Sequence, residues 1–296
     1  MLTIFCIIKF GDDLVKKIKL VTDSTSDLSI DLIKKHDISV LPLFVNFKEE
    51  SFKDIEDINP VEMYAKVDKL GFLPKTAATS PGAFLECFNR YLEEGYDIIY
   101  TGIGSKFSAT FQSAHSAKLM IGSDKIYLVD SMNLSSGSGL LLLKAAKFRE
   151  EGLDAQTIAK KLEELVPKVI SQFVIDTLEY LYKGGRLNAL SAFMGTMLKI
   201  KPIIKVRDGV MCVGKKARGN ILAGVKLLIQ EVFEQKEEID NDFMMITHSL
   251  AHASAEYIKQ ELNGKIEVKN IYETDAGCVI SSHCGKGTIG ILYIMK

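Results

Sequence analysis

The chain has 296 residues, 47% hydrophobic and 25% charged, with a formal net charge of -1, so it is long enough for a large core or two medium ones. That charge balance excludes bulk attraction to nucleic acid or to an anionic membrane surface. Its 5 cysteines form no C-x-x-C pair, and their odd number argues against a disulfide framework and for a reducing, cytoplasmic setting.

The apolar start MLTIFCIIKF is interrupted at Lys9, well short of the ~20 residues of a membrane-spanning helix. It has no basic stretch before it and no small-residue cleavage site after it. Residues 1–17 therefore read as an extension, and no other stretch suits a bilayer span. The first strand is Ile18–Thr22, followed by the polar turn Asp23–Asp27 and a helix from Ser29, its N-cap, to His36. Ser39–Phe47 reads as one strand. Asn59-Pro60 and Ser80-Pro81 each open a helix, the second carrying Phe84, Phe88 and Leu92 at helical spacing.

Tyr96–Ile103 is a strand, Ser108–Ala114 begins a helix, and Lys125–Asp130 is a short strand leading through Ser131–Gly139 into a helix to Glu151. Three successive strands thus end in Ser/Thr/Asp/Gly-rich loops that feed helices, the pattern of a parallel sheet with a crevice at its strand ends. The reading places that crevice in the first half of the chain.

In the second half a helix is expected over Asp154–Ser171, then a strand at Gln172–Asp176 and a break at Lys183-Gly-Gly-Arg186. Arg207-Asp-Gly209 joins Ile203–Val206 to Val210–Val213 as a hairpin. A helix over Ala223–Phe233 and strands at Phe243–His248, Lys265–Tyr272 and Gly290–Ile294 complete the pattern. The fold class is α/β: residues 18–165 form a mainly parallel βα lobe and residues 166–296 a mixed α/β lobe, with no linker between them.

Two groups of residues stand out for chemistry. Thr79, Ser80, Ser108 and Thr110 lie at helix starts, where hydroxyls, free N–H groups and the helix dipole favour an anion, although capping explains any one of them. Ser281-Ser-His283-Cys-Gly285-Lys-Gly287 places one imidazole in a Gly-rich turn that lets backbone approach a ligand. His248 and His252, four apart, would share a helix face as metal ligands, but no glutamate of an H-E-x-x-H motif lies between them, and a packed or solvated role reads first. Thr101-Gly-Ile-Gly-Ser105 is no nucleophile elbow, and no P-loop or dinucleotide motif occurs. Arg186, after two glycines, suits an interface or an anion partner.

Over residues 18–296 the chain resembles the DegV family. The resemblance is carried by Val21-Thr-Asp-Ser-Thr-Ser-Asp-Leu28, Thr79-Ser80, Ser108–Ala114, Asp130-Ser131, Asp176–Leu181, Lys183-Gly-Gly-Arg186, Lys199–Ile203 and Ser282–Gly287, in order and spacing. It implies one two-lobed DegV domain that holds a long-chain fatty acid, needs no cofactor, and has a fatty acid kinase as partner in phospholipid synthesis. That kinase phosphorylates the bound acid with ATP, and the carrier brings no catalytic residue. By the same resemblance Thr79, Ser108 and His283 contact the carboxylate with Ser80 nearby, and Arg186 faces the kinase. For the acyl tail the apolar pattern suggests Phe173, Ile175, Met194, Met197 and Leu198. The competing reading is an enzyme for a small substrate, using His283 with a loop Ser or Thr.

Overall fold

The computed structural model describes residues 17–186 and 200–296. The first half runs β1 (Ile18–Asp23), α1 (Ile30–Lys35), β2 (Ile38–Leu41), β3 (Phe44–Phe47), β4 (Glu50–Lys53), α2 (Pro60–Leu70), β5 (Lys75–Ala77), α3 (Pro81–Glu93), β6 (Asp97–Tyr100), α4 (Thr110–Ile121), β7 (Ile126–Leu128) and α5 (Ser136–Glu150). The second half runs α6 (Ala155–Leu165), β8 (Val169–Val174), α7 (Glu179–Lys183), β9 (Ile200–Arg207), β10 (Val210–Arg218), α8 (Ile221–Gln235), β11 (Ile239–His248), α9 (His252–Leu262), β12 (Asn270–Asp275), α10 (Cys278–Cys284) and β13 (Ile289–Met295).

The helix starts follow local chemistry. Ser29 accepts the Leu32 N–H, and Asn59 with Glu62 forms a capping box ahead of Pro60. Strands β2-β1-β6-β7 form a parallel sheet, as the alternating strand and helix pattern predicts. The single strand expected over Ser39–Phe47 is instead two. Pro42, which lacks an N–H for a ladder, falls between β2 and β3, and β3 pairs antiparallel with β4 and β5 in a separate small sheet.

The second half forms one mixed sheet, β10-β9-β8-β13-β11-β12, in which only the β11–β12 pair is parallel. The helix expected over Asp154–Ser171 stops at Leu165, because Pro167 sits in a 3₁₀ turn and β8 follows at once. The β9–β10 hairpin turns at Asp208 and Gly209, both at positive φ (50° and 74°), which suits this dipeptide to a tight hairpin.

Helix α5 joins the halves. Leu140 to Leu143 are all 0% exposed, in a core that includes Leu20 of β1 and Met245 and Leu292 of the mixed sheet. A helix apolar on all sides belongs between two layers, and α5 lies there. Among the described residues no helix is long and apolar enough to cross a membrane.

Candidate functional site

A cavity of about 200 Å³ opens where the loop after β6 and the edge strand β5 meet the mixed sheet and α10. Each half contributes wall. Ile103, Phe107, Ser108 and Ala109 come from the loop after β6, Thr76 and Ala77 from β5 with Ala78 just beyond it, Phe173 from β8, Met211 from β10, and Ile280, His283 and Cys284 from α10. The crevice therefore lies between the halves rather than within the first, because α10 and β8 close what the parallel strands leave open. A second cavity of about 40 Å³ shares Leu134, Phe173, Ile280 and Cys284 with it and continues the apolar space inward past Leu292.

The two ends of the space differ. Arg186, Ala77 and Ala109 are exposed, and with Ser108, Thr76 and His283 they make a polar opening. Inward, Phe173, Leu181 and Met211 belong to one apolar cluster with Phe107 and Leu134 packed against it. Cys284 is buried there, and burial pushes its thiol up to about 12, so it serves as an inert wall atom at neutral pH.

His283 stands on a helix, not in the Gly-rich turn expected from its neighbours. Gly277 caps α10 and Gly285, at φ +82°, ends it, so the glycines bound the helix rather than loosen it. Two buried carboxylates from the first half hold its N-terminus: Asp27 accepts the Gly277 N–H at 2.8 Å and Asp54 accepts the Cys278 N–H at 2.7 Å. Negative charge at a helix start is favourable, and the contacts fix α10 to the end of β1 and the strand after β3. Burial still raises both carboxyls, Asp54 to about 6.

The imidazole itself is neutral at physiological pH. Burial, then the Arg186 charge, lowers it to about 4. Its Nε2 lies 3.0 Å from Thr76 Oγ1, while the buried Nδ1 has no partner. Gly184 leaves room for the ring, since a Cβ there would stand 2.2 Å from Nδ1. Arg186 Nη1 donates to the Gly184 carbonyl at 2.9 Å, which draws the guanidinium toward the opening.

The expected residues fall into three groups. Ser108, His283, Arg186 and Phe173 meet on the one cavity. Thr79 and Ser80 are not on its wall: the Thr79 hydroxyl donates to the Pro42 carbonyl at 2.9 Å, and Ser80 caps α3 by accepting the Ala83 N–H. Ile175 is fully buried in the adjoining cluster without lining the cavity. Met194, Met197 and Leu198 lie outside the described residues.

Thr76, Leu181, Met211, Ile280 and Cys284 also line the cavity without being among the pocket residues expected from the sequence. The i, i+3, i+4 spacing of Ile280, His283 and Cys284 is a helical face that would have signalled the last pair, had the segment been taken as helical. Nothing local marks Thr76, whose relation to His283 is purely tertiary.

Fold and cavity together define a two-part α/β protein with an apolar internal site and a polar, uncharged-histidine opening. The model of the DegV family, described as “Uncharacterised protein, DegV family”, matches residues 17–296, and the chain belongs to that family. It is 40% identical to a DegV domain-containing protein of Clostridium acetobutylicum, covering 95% of this chain and 100% of the relative. It is 31% identical to Protein DegV of Bacillus subtilis, covering 94% and 99%. Among solved structures it resembles a fatty-acid-binding DegV family protein from Thermus thermophilus, with a TM-score of 0.88 and 31% identity over 95% and 100% of the two chains. A stearic-acid-binding protein from Eubacterium ventriosum matches with a TM-score of 0.82 and 26% identity over 94% and 98%.

Proposed function

We propose that this chain binds a long-chain fatty acid, with the carboxylate at the polar opening and the hydrocarbon running inward between Phe173, Leu181, Met211 and Ile280. The single observation that carries the reading is a cavity apolar in depth and polar only at one end, in a chain whose structural neighbours are named for fatty acid binding. Burying each CH₂ is worth roughly 0.8 kcal/mol, so about fourteen of them contribute on the order of 11 kcal/mol before the costs of association. Each hydrogen bond to the charged head adds about 1.5–3 kcal/mol. The tail therefore sets affinity and the opening sets direction.

Ser108 and Thr76 are the neutral donors for the head group, His283 orients the Thr76 hydroxyl, and Arg186 supplies the positive charge. With Nε2 protonated, the imidazole donates to the Thr76 hydroxyl and leaves that O–H free to donate onward to the carboxylate. Thr79 and Ser80 then act by shaping the loop from Ala77 to α3; direct contact would require the Thr79 hydroxyl to leave the Pro42 carbonyl, or the Ser80 hydroxyl to leave the Ala83 N–H. Because the carboxylate lies at the exposed end beside Arg186, the chain suits presentation of the acid to a fatty acid kinase in the cytoplasm, with ATP chemistry left to the partner. An enzyme using His283 as general base fits less well, since a base that titrates near 4 abstracts protons weakly at neutral pH.

Mass spectrometry of denatured recombinant protein is the test. Fatty acid released at near one equivalent supports binding, and acyl phosphate formed only when kinase, ATP and this chain are combined supports presentation. Lipid-free protein whose melting temperature does not move with oleate would overturn the reading.

A further inference from the structure

Away from the cavity opening, four charged or ligating side chains converge where β11 and β12 run side by side. His248 ends β11, His252 begins α9, and Glu273 and Asp275 lie two apart on β12, hence on one face of that strand. The two histidines share no helix, yet their rings stand 4.5 Å apart. The parallel register sets Asp275 opposite His248 and Glu273 opposite Ile246, which brackets the His248 ring between two carboxylates. Glu273 Oε1 is 3.0 Å from His248 Nε2 and 3.6 Å from His252 Nδ1, while Asp275 Oδ1 is 3.3 Å from His248 Nδ1.

Two donors on one tetrahedral zinc, each about 2.0–2.1 Å from the metal, are separated by about 3.3 Å. The 3.0 and 3.6 Å separations about Glu273 Oε1 straddle that figure, and one donor atom from each of the three residues falls within 4.8 Å of the others. Glu273 is held for the purpose, because its other oxygen accepts from Lys259 at 2.7 Å. Lys259 is shared between Glu273 and Glu256, and Asp275 adds a further carboxylate beside His248, so the local balance of one ammonium to three carboxylates favours a dication.

His248 is 1% exposed and a neutral imidazole has one proton for its two carboxylate neighbours. A metal on Nε2 resolves this, leaving the proton on Nδ1 to face Asp275 in place of the long 3.4 Å approach of the Ala251 N–H. A carboxylate behind a ligating histidine is the common second partner of zinc sites.

We propose that His248, His252 and Glu273 form a binding site for a divalent transition metal of the zinc type, oriented by Asp275 and with its fourth position open to water at the exposed His252. The proposal does not rest on the fatty-acid reading: His252 and Glu273 line neither cavity, and His248 borders only the small inner one.

The test titrates chelator-treated, tag-free full-length protein with Zn²⁺ by calorimetry and with Co²⁺ by absorption. The expected result is one equivalent bound, with the visible bands of four-coordinate cobalt. His252→Ala should weaken binding at least tenfold, and the exposed His252 is dispensable for folding. Glu273→Gln should do the same, while His115→Ala, an exposed histidine elsewhere, should change nothing. Absence of stoichiometric binding overturns the proposal. So does a site that survives His252→Ala, which would lie elsewhere on the chain.

Discussion

Thr76 Oγ1 and His283 Nε2 lie 3.0 Å apart although 207 positions separate them in the chain. One residue is on an edge strand of the small sheet and the other on the helix gripped by Asp27 and Asp54, so the pair forms only when both halves are in place. Removing the hydroxyl leaves the imidazole nitrogen without a partner and takes a donor from the opening. Thr76→Val is expected to weaken fatty acid binding by about 1–3 kcal/mol, roughly 5- to 150-fold, and Thr76→Ser to retain most of it. Displacement of a fluorescent fatty acid reads both.

His283 makes stability depend on pH. Its folded value is about 4 against an ordinary 6.5, so below pH 6.5 the unfolded chain takes up a proton that the folded chain refuses. The contribution is present above 6.5 and is lost as pH falls toward 4, at about 1.4 kcal/mol per pH unit. Asp54 acts in the opposite sense: raised to about 6 from 3.8, it favours the folded state at low pH and loses that contribution as pH rises from about 4 to 6. Denaturant titrations of lipid-free wild type and His283→Gln between pH 7 and 5 should therefore diverge, the wild type losing more stability on acidification. Parallel curves would remove the buried neutral imidazole.

Gly184 tests the seat of the ring. An added methyl would stand 2.2 Å from His283 Nδ1, and the backbone there, at φ -78°, is one alanine adopts without strain. Gly184→Ala thus acts by displacement alone. It should cost about 1–3 kcal/mol of stability and weaken fatty acid binding as His283→Ala does. A variant that binds normally would show that the head group does not depend on this rotamer.

The wall at Met211 sets how much chain fits. Affinity should rise about fourfold per added CH₂ until the space is filled, following roughly 0.8 kcal/mol for each group buried. Met211→Trp fills part of the apolar end, so it should leave dodecanoate binding nearly unchanged and weaken octadecanoate at least tenfold. Equal effects on both acids, measured by calorimetry, would move the tail elsewhere.

What was legible in the sequence rests on short-range physics. The alternation of β-branched runs with capped amphipathic segments specified the parallel sheet, Asn59-Pro60 and Ser80-Pro81 specified helix starts, and Asp208-Gly209 specified a hairpin. Ser108, His283 and Arg186 stood out as small or charged groups beside loops and glycines, and they meet at the cavity. Other features answer to long-range packing. The break at Pro42 sends β2 and β3 to different sheets, the capping glycines turn a presumed loop into α10, and Thr76 reaches His283 from a strand with no motif of its own. Local propensity acts over a few residues, whereas a cavity is the space left between layers, and its walls are chosen by which distant faces must bury one another.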